Sequence, residues 1–141
     1  PVGATDIGPL AQCGKLRILS LRGSGVANLE PLSKLSSLRF LYLNFTPVVD
    51  LAPLAGLGLE ELWLEAIPAT DLAPVGRIKS LKRLGIESMG VESGAFVSGL
   101  AELTWLAMSG TQISDAEIAT HPVAASDSSR PERYWPSACP W

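Results

Sequence analysis

The stretch from Leu38 to Leu64, LRFLYLNFTPVVDLAPLAGLGLEELWL, holds one full unit of a pattern and the opening of the next. Its leucines stand at Leu38, Leu41 and Leu43, then after Val48 at Leu51, Leu54 and Leu57, and the series restarts at Leu59, Leu62 and Leu64. The L-x-x-L-x-L part alternates with the period of two that a half-buried strand requires, sending leucines inward and the residues between them outward. The second part, with apolar residues three apart and a proline among them, predicts a tight helical return path.

Outward from that stretch the same unit repeats along most of the chain. The anchors Leu16, Leu38, Leu59, Leu81 and Leu103 are separated by 22, 21, 22 and 22 residues, the short step arising where Leu57 to Leu59 spans two positions instead of three. The unit is L-x-x-L-x-L-x4-V-x2-L-x2-L-x2-L, and 33 of the 35 positions it defines over five copies are apolar, against 47% for the whole sequence. Gly94 and Pro122 are the exceptions. One such unit cannot bury its own leucine face, so copies must stack, and the period therefore predicts an α/β repeat solenoid. A partial earlier unit, ATDIGPLAQC over residues 4–13, aligns with VVDLAPLAGL over residues 48–57 and places Cys13 at a core leucine position. A buried structural thiol is expected there, since free cysteine behaves as a small hydrophobe.

A polar residue precedes each return segment: Asp6 before Pro9, Asn28 before Pro31, Asp50 before Pro53 and Asp71 before Pro74. Carboxylates in series invite a catalytic reading, yet recurrence at one repeat position marks them as caps of the helical turns, with proline tolerated inside the first turn.

These strand and return segments resemble the 22-residue leucine-rich repeats of the phosphatase-regulator (SDS22-like) class and of bacterial internalins. The carriers are LRFLYL, LEELWL and LTWLAM on the strands and NLEPLSKL, DLAPLAGL and DLAPVGRI on the returns, within residues 4–120. The resemblance implies a right-handed leucine-rich-repeat horseshoe, with short parallel strands on the concave face and 3-10 or short helical turns on the convex face. It also implies protein recognition as the function. The sequence departs from the family at the asparagine that usually follows each strand, where it has Ser24, Thr46, Ile67, Met89 and Thr111. Serine and threonine still bond locally to backbone, but Ile67 and Met89 cannot, so an irregular turn is expected at those two places.

With the leucines inward, the outward residues of successive strands form columns across the concave face. One column is Ile18, Phe40, Glu61, Arg83 and Trp105; the next is Ser20, Tyr42, Trp63, Gly85 and Ala107; a third is Arg22, Asn44, Glu65, Glu87 and Ser109. Phe40, Tyr42 and Trp63 fall on adjacent strands with Phe45 close by, and clustered solvent-facing aromatics are what binding surfaces are rich in. The competing account is that they cover strand backbone and one another. Charge is zoned along the face as Arg17, Arg22 and Arg39, then Glu60, Glu61 and Glu65, then Lys82 and Arg83, an arrangement that would orient a partner. The candidate partner-binding residues are thus Phe40, Tyr42, Phe45, Glu61, Trp63, Glu65, Arg83 and Trp105.

The remaining composition mostly excludes. A net charge of −3 with no basic run argues against nucleic acid, and charges or prolines interrupt every apolar segment before it could span a bilayer. His121 is the single histidine, Cys13 and Cys139 lie far apart, and no nucleophile, phosphate-cradling or metal-ligand motif is present, so neither an enzyme nor a cofactor is expected. The repeat domain is expected over residues 1–120. The last 21 residues, rich in proline and serine, read as a flexible or end-capping tail over 121–141. A protein or peptide ligand is the expected partner, with self-association through uncapped repeat ends as an additional expectation. The alternative reading is a recognition or structural segment of a larger multidomain leucine-rich-repeat protein, such as a regulatory subunit or a bacterial effector or surface protein. No targeting segment is legible, and the compartment stays open.

Overall fold

The computed structural model describes residues 5–113. The tail over 121–141, the end of the repeat domain at residue 120 and the last positions of the fifth unit lie outside the described residues.

Among the described residues, five three-residue strands form one parallel sheet in sequence order: β1 (Ile18–Ser20), β2 (Phe40–Tyr42), β3 (Glu61–Trp63), β4 (Arg83–Gly85) and β5 (Trp105–Ala107). The central residues Leu19, Leu41, Leu62, Leu84 and Leu106 stand beside one another in register, so the inward row is leucine from end to end. Parallel neighbours need a crossover, and each is made here by a return segment containing a 3-10 turn. The crossover turns span Glu30–Lys34, Ala52–Leu54, Val75–Arg77 and Ala95–Gly99, and one further 3-10 turn, Gly8–Gln12, precedes β1. The chain is therefore a leucine-rich-repeat solenoid, with the leucine, isoleucine and valine positions of every turn meeting in a single core.

Short polar side chains fix the start of each return. Asp6, Asn28, Asp50 and Asp71 accept the backbone N–H two residues ahead at 2.8–3.0 Å, and Ser93 takes the same place in the next turn at 3.3 Å. The bond closes an Asx-type turn just ahead of the 3-10 segment rather than at its N-cap residue, which in most turns is apolar, such as Leu29 and Leu51. The structural role expected for these carboxylates holds, displaced by one position or more.

The corner after each strand is regular throughout, including the two places where irregularity was expected. Gly23, Phe45, Ala66, Ser88 and Gly110 all take positive φ, between 54° and 75°. Their own amides carry the ladder through the corner, Ala66 N–H donating to Glu87 O and Ser88 N–H to Ser109 O, both at 2.9 Å. Thr46 and Thr111 donate back to the carbonyls of Leu43 and Met108 at 2.7 and 2.8 Å. Ile67 and Met89 bury their side chains instead, so apolar packing holds the corner where the amide is missing.

Coverage of the core is uneven along the solenoid. Leu41, Leu62 and Leu84 are fully buried, whereas Leu10, Leu16 and Leu19 of the first turn are only partly so. Cys13 is exposed, which corrects the expectation of a buried thiol. Its equivalents Leu35, Leu57, Ile78 and Leu100 are each sandwiched between turns, while among the described residues no earlier turn stacks on Cys13.

The shortening of the second repeat is absorbed on the side leading into β3. Leu16, Leu38, Leu81 and Leu103 each donate to the carbonyl three residues back, closing a small loop before the strand. The step from Leu57 to Leu59 is one residue shorter, and the Arg39 guanidinium lies over Gly58, bonded to the carbonyls of Ser36 and Leu38 at 3.0 Å. A Cβ at Gly58 would lie 3.1 Å from Arg39 Nη1.

Candidate functional site

The three outward columns stand as the alternation of strand residues dictates. Ile18, Phe40, Glu61, Arg83 and Trp105 are paired in register, as are Ser20, Tyr42, Trp63, Gly85 and Ala107. The third column follows at the corners, linked by Gly23 N–H to Asn44 O and Phe45 N–H to Glu65 O at 2.9 Å.

The middle of the face is a self-contained cluster. Trp63 on β3 lies across β4 at Gly85, where a Cβ would collide with the ring atom Cε3. Its ring reaches Trp105 on β5, with centroids 5.3 Å apart and planes inclined at 55°. Trp63 Nε1 donates to Glu61 at 2.8 Å, Glu61 faces Arg83 at 3.6 Å, and the Arg83 guanidinium stands over the Trp105 ring at 5.2 Å. Each polar group of this cluster therefore has a partner inside it.

Along the corners runs an acceptor-rich rim. Asn44, 1% exposed, donates through Nδ2 to Glu65 at 3.2 Å, while its Oδ1 is buried without a donor. Burial raises the Glu87 carboxyl above its ordinary value, the charge of Glu65 adds to that rise, and a hydrogen bond with Ser109 opposes it. Phe45 is 48% exposed at its positive-φ corner, with the Arg22 guanidinium 5.4 Å from its ring centre.

Among the eight candidate residues, Phe40 and Tyr42 are half-buried on β2, beside Ile18 on β1, which is 60% exposed. Phe45 is open, and Glu61, Glu65, Arg83 and Trp105 are half-buried. Trp63 is 1% exposed, which corrects the expectation of a solvent-facing ring: the absence of a side chain at Gly85 lets it lie flat on the neighbouring strand. The charge zones are also partly neutralised across adjacent turns, Lys82 meeting Glu60 at 3.0 Å. Asn44, Glu87 and Gly85 were not among the candidates, although their column positions were readable. A glycine beside a tryptophan in one column was the signal for the buried ring.

Among the described residues no group of three or more His, Cys, Asp or Glu side chains is placed to hold a metal, and no helix is long and apolar enough to cross a membrane. The sequence matches no protein-family model and no curated protein. Solved structures do match. Internalin C2 of Listeria monocytogenes superposes with a TM-score of 0.78 at 24% identity, over 84% of this chain and 54% of that protein. The fold is that of the internalin-like leucine-rich-repeat proteins. A second Listeria monocytogenes internalin, InlF, superposes with a TM-score of 0.71 at 28% identity, over 80% of this chain and 34% of its own. A leucine-rich-repeat protein of Leptospira interrogans gives 0.73 at 22% identity, over 83% of this chain and 31% of its own. The internalin-like repeat chain thus spans about half of the first of these proteins and about a third of the other two.

Proposed function

We propose that this chain is a non-catalytic recognition module that binds another protein on its concave strand face. The observation that carries the reading is the aromatic and apolar patch on the β1–β2 side of that face: Ile18 and Phe45 exposed, Phe40 and Tyr42 half-buried between them. Such a patch on a rigid sheet gains free energy when a partner removes it from water, and it needs no rearrangement to do so. Trp63, Trp105 and Arg83 serve under this reading as a stiff floor beside the patch.

The test compares the wild-type chain with the double variant Tyr42→Ala, Phe45→Ala in a pull-down from host or target-cell extract, with far-UV circular dichroism to establish that the variant is folded. A partner held by the wild type and lost by the folded variant is the expected outcome. Retention of the same partner by the variant would move recognition off this face. Trp63 is unsuited to this test, because changing a buried ring perturbs the fold itself.

A second reading, a recognition or structural segment within a larger multidomain leucine-rich-repeat protein, is favoured by the partial coverage of every structural relative described above. It is tested by the parent reading frame: flanking repeats or an effector domain would support it.

A further inference from the structure

We infer that the β1–β2 end of the concave face takes a partner segment in which a carboxylate stands beside an apolar or aromatic residue. The apolar group covers Ile18, Phe40 and Tyr42, and the carboxylate meets Arg22 next to Phe45. This rests on the concave-face reading above and names the chemistry of the partner at that site.

Charge is segregated along the chain in a way that the net value hides. Over residues 7–49 the sequence holds five cations, Lys15, Arg17, Arg22, Lys34 and Arg39, and a single carboxylate, Glu30. Glu30 and Lys34 belong to the return turn Glu30–Lys34 rather than to the strand face. Arg39 is bonded to the carbonyls of Ser36 and Leu38. That leaves Lys15, Arg17 and Arg22 around the apolar patch, all exposed, and neither of the two ion pairs among the described residues includes any of them. In a chain of net charge −3, this one apolar patch is bordered by cations alone, and an approaching carboxylate complements it.

Arg22 is the cation held in place. Its guanidinium stands 5.4 Å from the centre of the Phe45 ring, and attraction to a ring consumes none of its five N–H donors. A carboxylate accepts two of those donors in parallel, which fixes direction as well as distance. Phe45 is itself 48% exposed, so a partner residue that packs on the ring lies beside the guanidinium. Covering the ring also removes water from the ion pair, and an exposed pair contributes little until that happens. The apolar and the charged contact therefore reinforce each other at this corner. Beyond β2 the sign reverses, because Glu65 and Glu87 follow β3 and β4. Repulsion there confines an acidic segment to the β1–β2 side.

The test pans a phage-displayed library of random linear peptides against the 141-residue chain, with the folded Tyr42→Ala, Phe45→Ala variant as counter-target, and titrates the enriched peptides by fluorescence anisotropy. Peptides held by the wild type and lost by that variant are expected, with Asp or Glu within two positions of an aromatic or aliphatic residue. Arg22→Gln is expected to weaken them about fivefold. Arg77→Gln, an equal change of charge at an exposed position on a return turn, leaves binding unchanged. The same peptides with their carboxylates replaced by amides bind wild type and Arg22→Gln alike, which separates a contact with the carboxylate from a structural role of Arg22. Patch-dependent peptides without acidic residues, or equal weakening by Arg22→Gln and Arg77→Gln, would overturn the acidic partner and leave the concave-face reading intact. Peptides held equally by the wild type and the Tyr42→Ala, Phe45→Ala variant would overturn both. No enrichment at all would overturn the linear acidic segment, with the pull-down above still deciding the concave-face reading.

Discussion

At the scale of single residues, Gly85 decides how the middle of the strand face is built. Any side chain there would occupy the space taken by the Trp63 ring. Gly85→Ala is expected to lift the ring off β4 and cost ~1–3 kcal/mol as an overpacked site does. Chemical denaturation would read that loss, and tryptophan emission would shift to the red as the ring meets water; an unchanged midpoint and spectrum would contradict this packing. Glu87 supplies a prediction of the opposite sign. The folded chain holds its proton more tightly than the unfolded chain does, because burial and the charge of Glu65 oppose ionisation. Ionising it therefore removes stability as pH rises from the ordinary carboxylate range through the raised folded value, and the penalty persists above that range. Glu87→Gln keeps a hydrogen-bonding group beside Ser109 and should stabilise the chain at pH 7 but not at pH 3. A gain equal at both pH values would rule out this linkage.

At the scale of the repeat element, what was legible in the sequence was whatever depends on spacing alone. Leu41, Leu62 and Leu84 could be placed in the core from their period, and side-chain alternation gave the columns their membership. What was not legible was exposure within a column, since it depends on what the next strand omits. Trp63 looked solvent-facing because its own strand said so; only Gly85 on β4 lets it lie flat. The corners at Ile67 and Met89 were not legible for a related reason. The apolar packing that replaces their missing side-chain hydrogen bond comes from the adjacent turns, not from their own segment. The same dependence on neighbours sets the cost of truncation. Leu62→Ala, in the central strand, should cost ~2–5 kcal/mol, and Leu19→Ala in β1 should fall at or below the lower end of that range, because a partly covered side chain leaves a smaller cavity. Equal costs from equilibrium unfolding would argue that the first turn is packed as tightly as the third.

At the scale of the whole molecule, stability is a sum over turns and the faces between them, so among the described residues the first turn, whose Leu10, Leu16 and Leu19 are only partly buried, is expected to be the least stable. Its exposed cysteine is a direct reporter. In a Cys139→Ser variant, Cys13 of the folded chain should react with a disulfide reagent about as fast as it does in denaturant. Strong protection in the folded state would show that something covers that end.

The arginine laid over Gly58 has a consequence for how such an array can change its length. A solenoid transmits phase: one residue gained or lost would ordinarily rotate every later strand and scatter the columns. Here the missing residue is taken up before Leu59, and Glu61, Leu62 and Trp63 still meet Phe40, Leu41 and Tyr42 in step. The approach to the strand is thus a splice point, where the chain can be shortened while the face offered to a partner keeps its alignment.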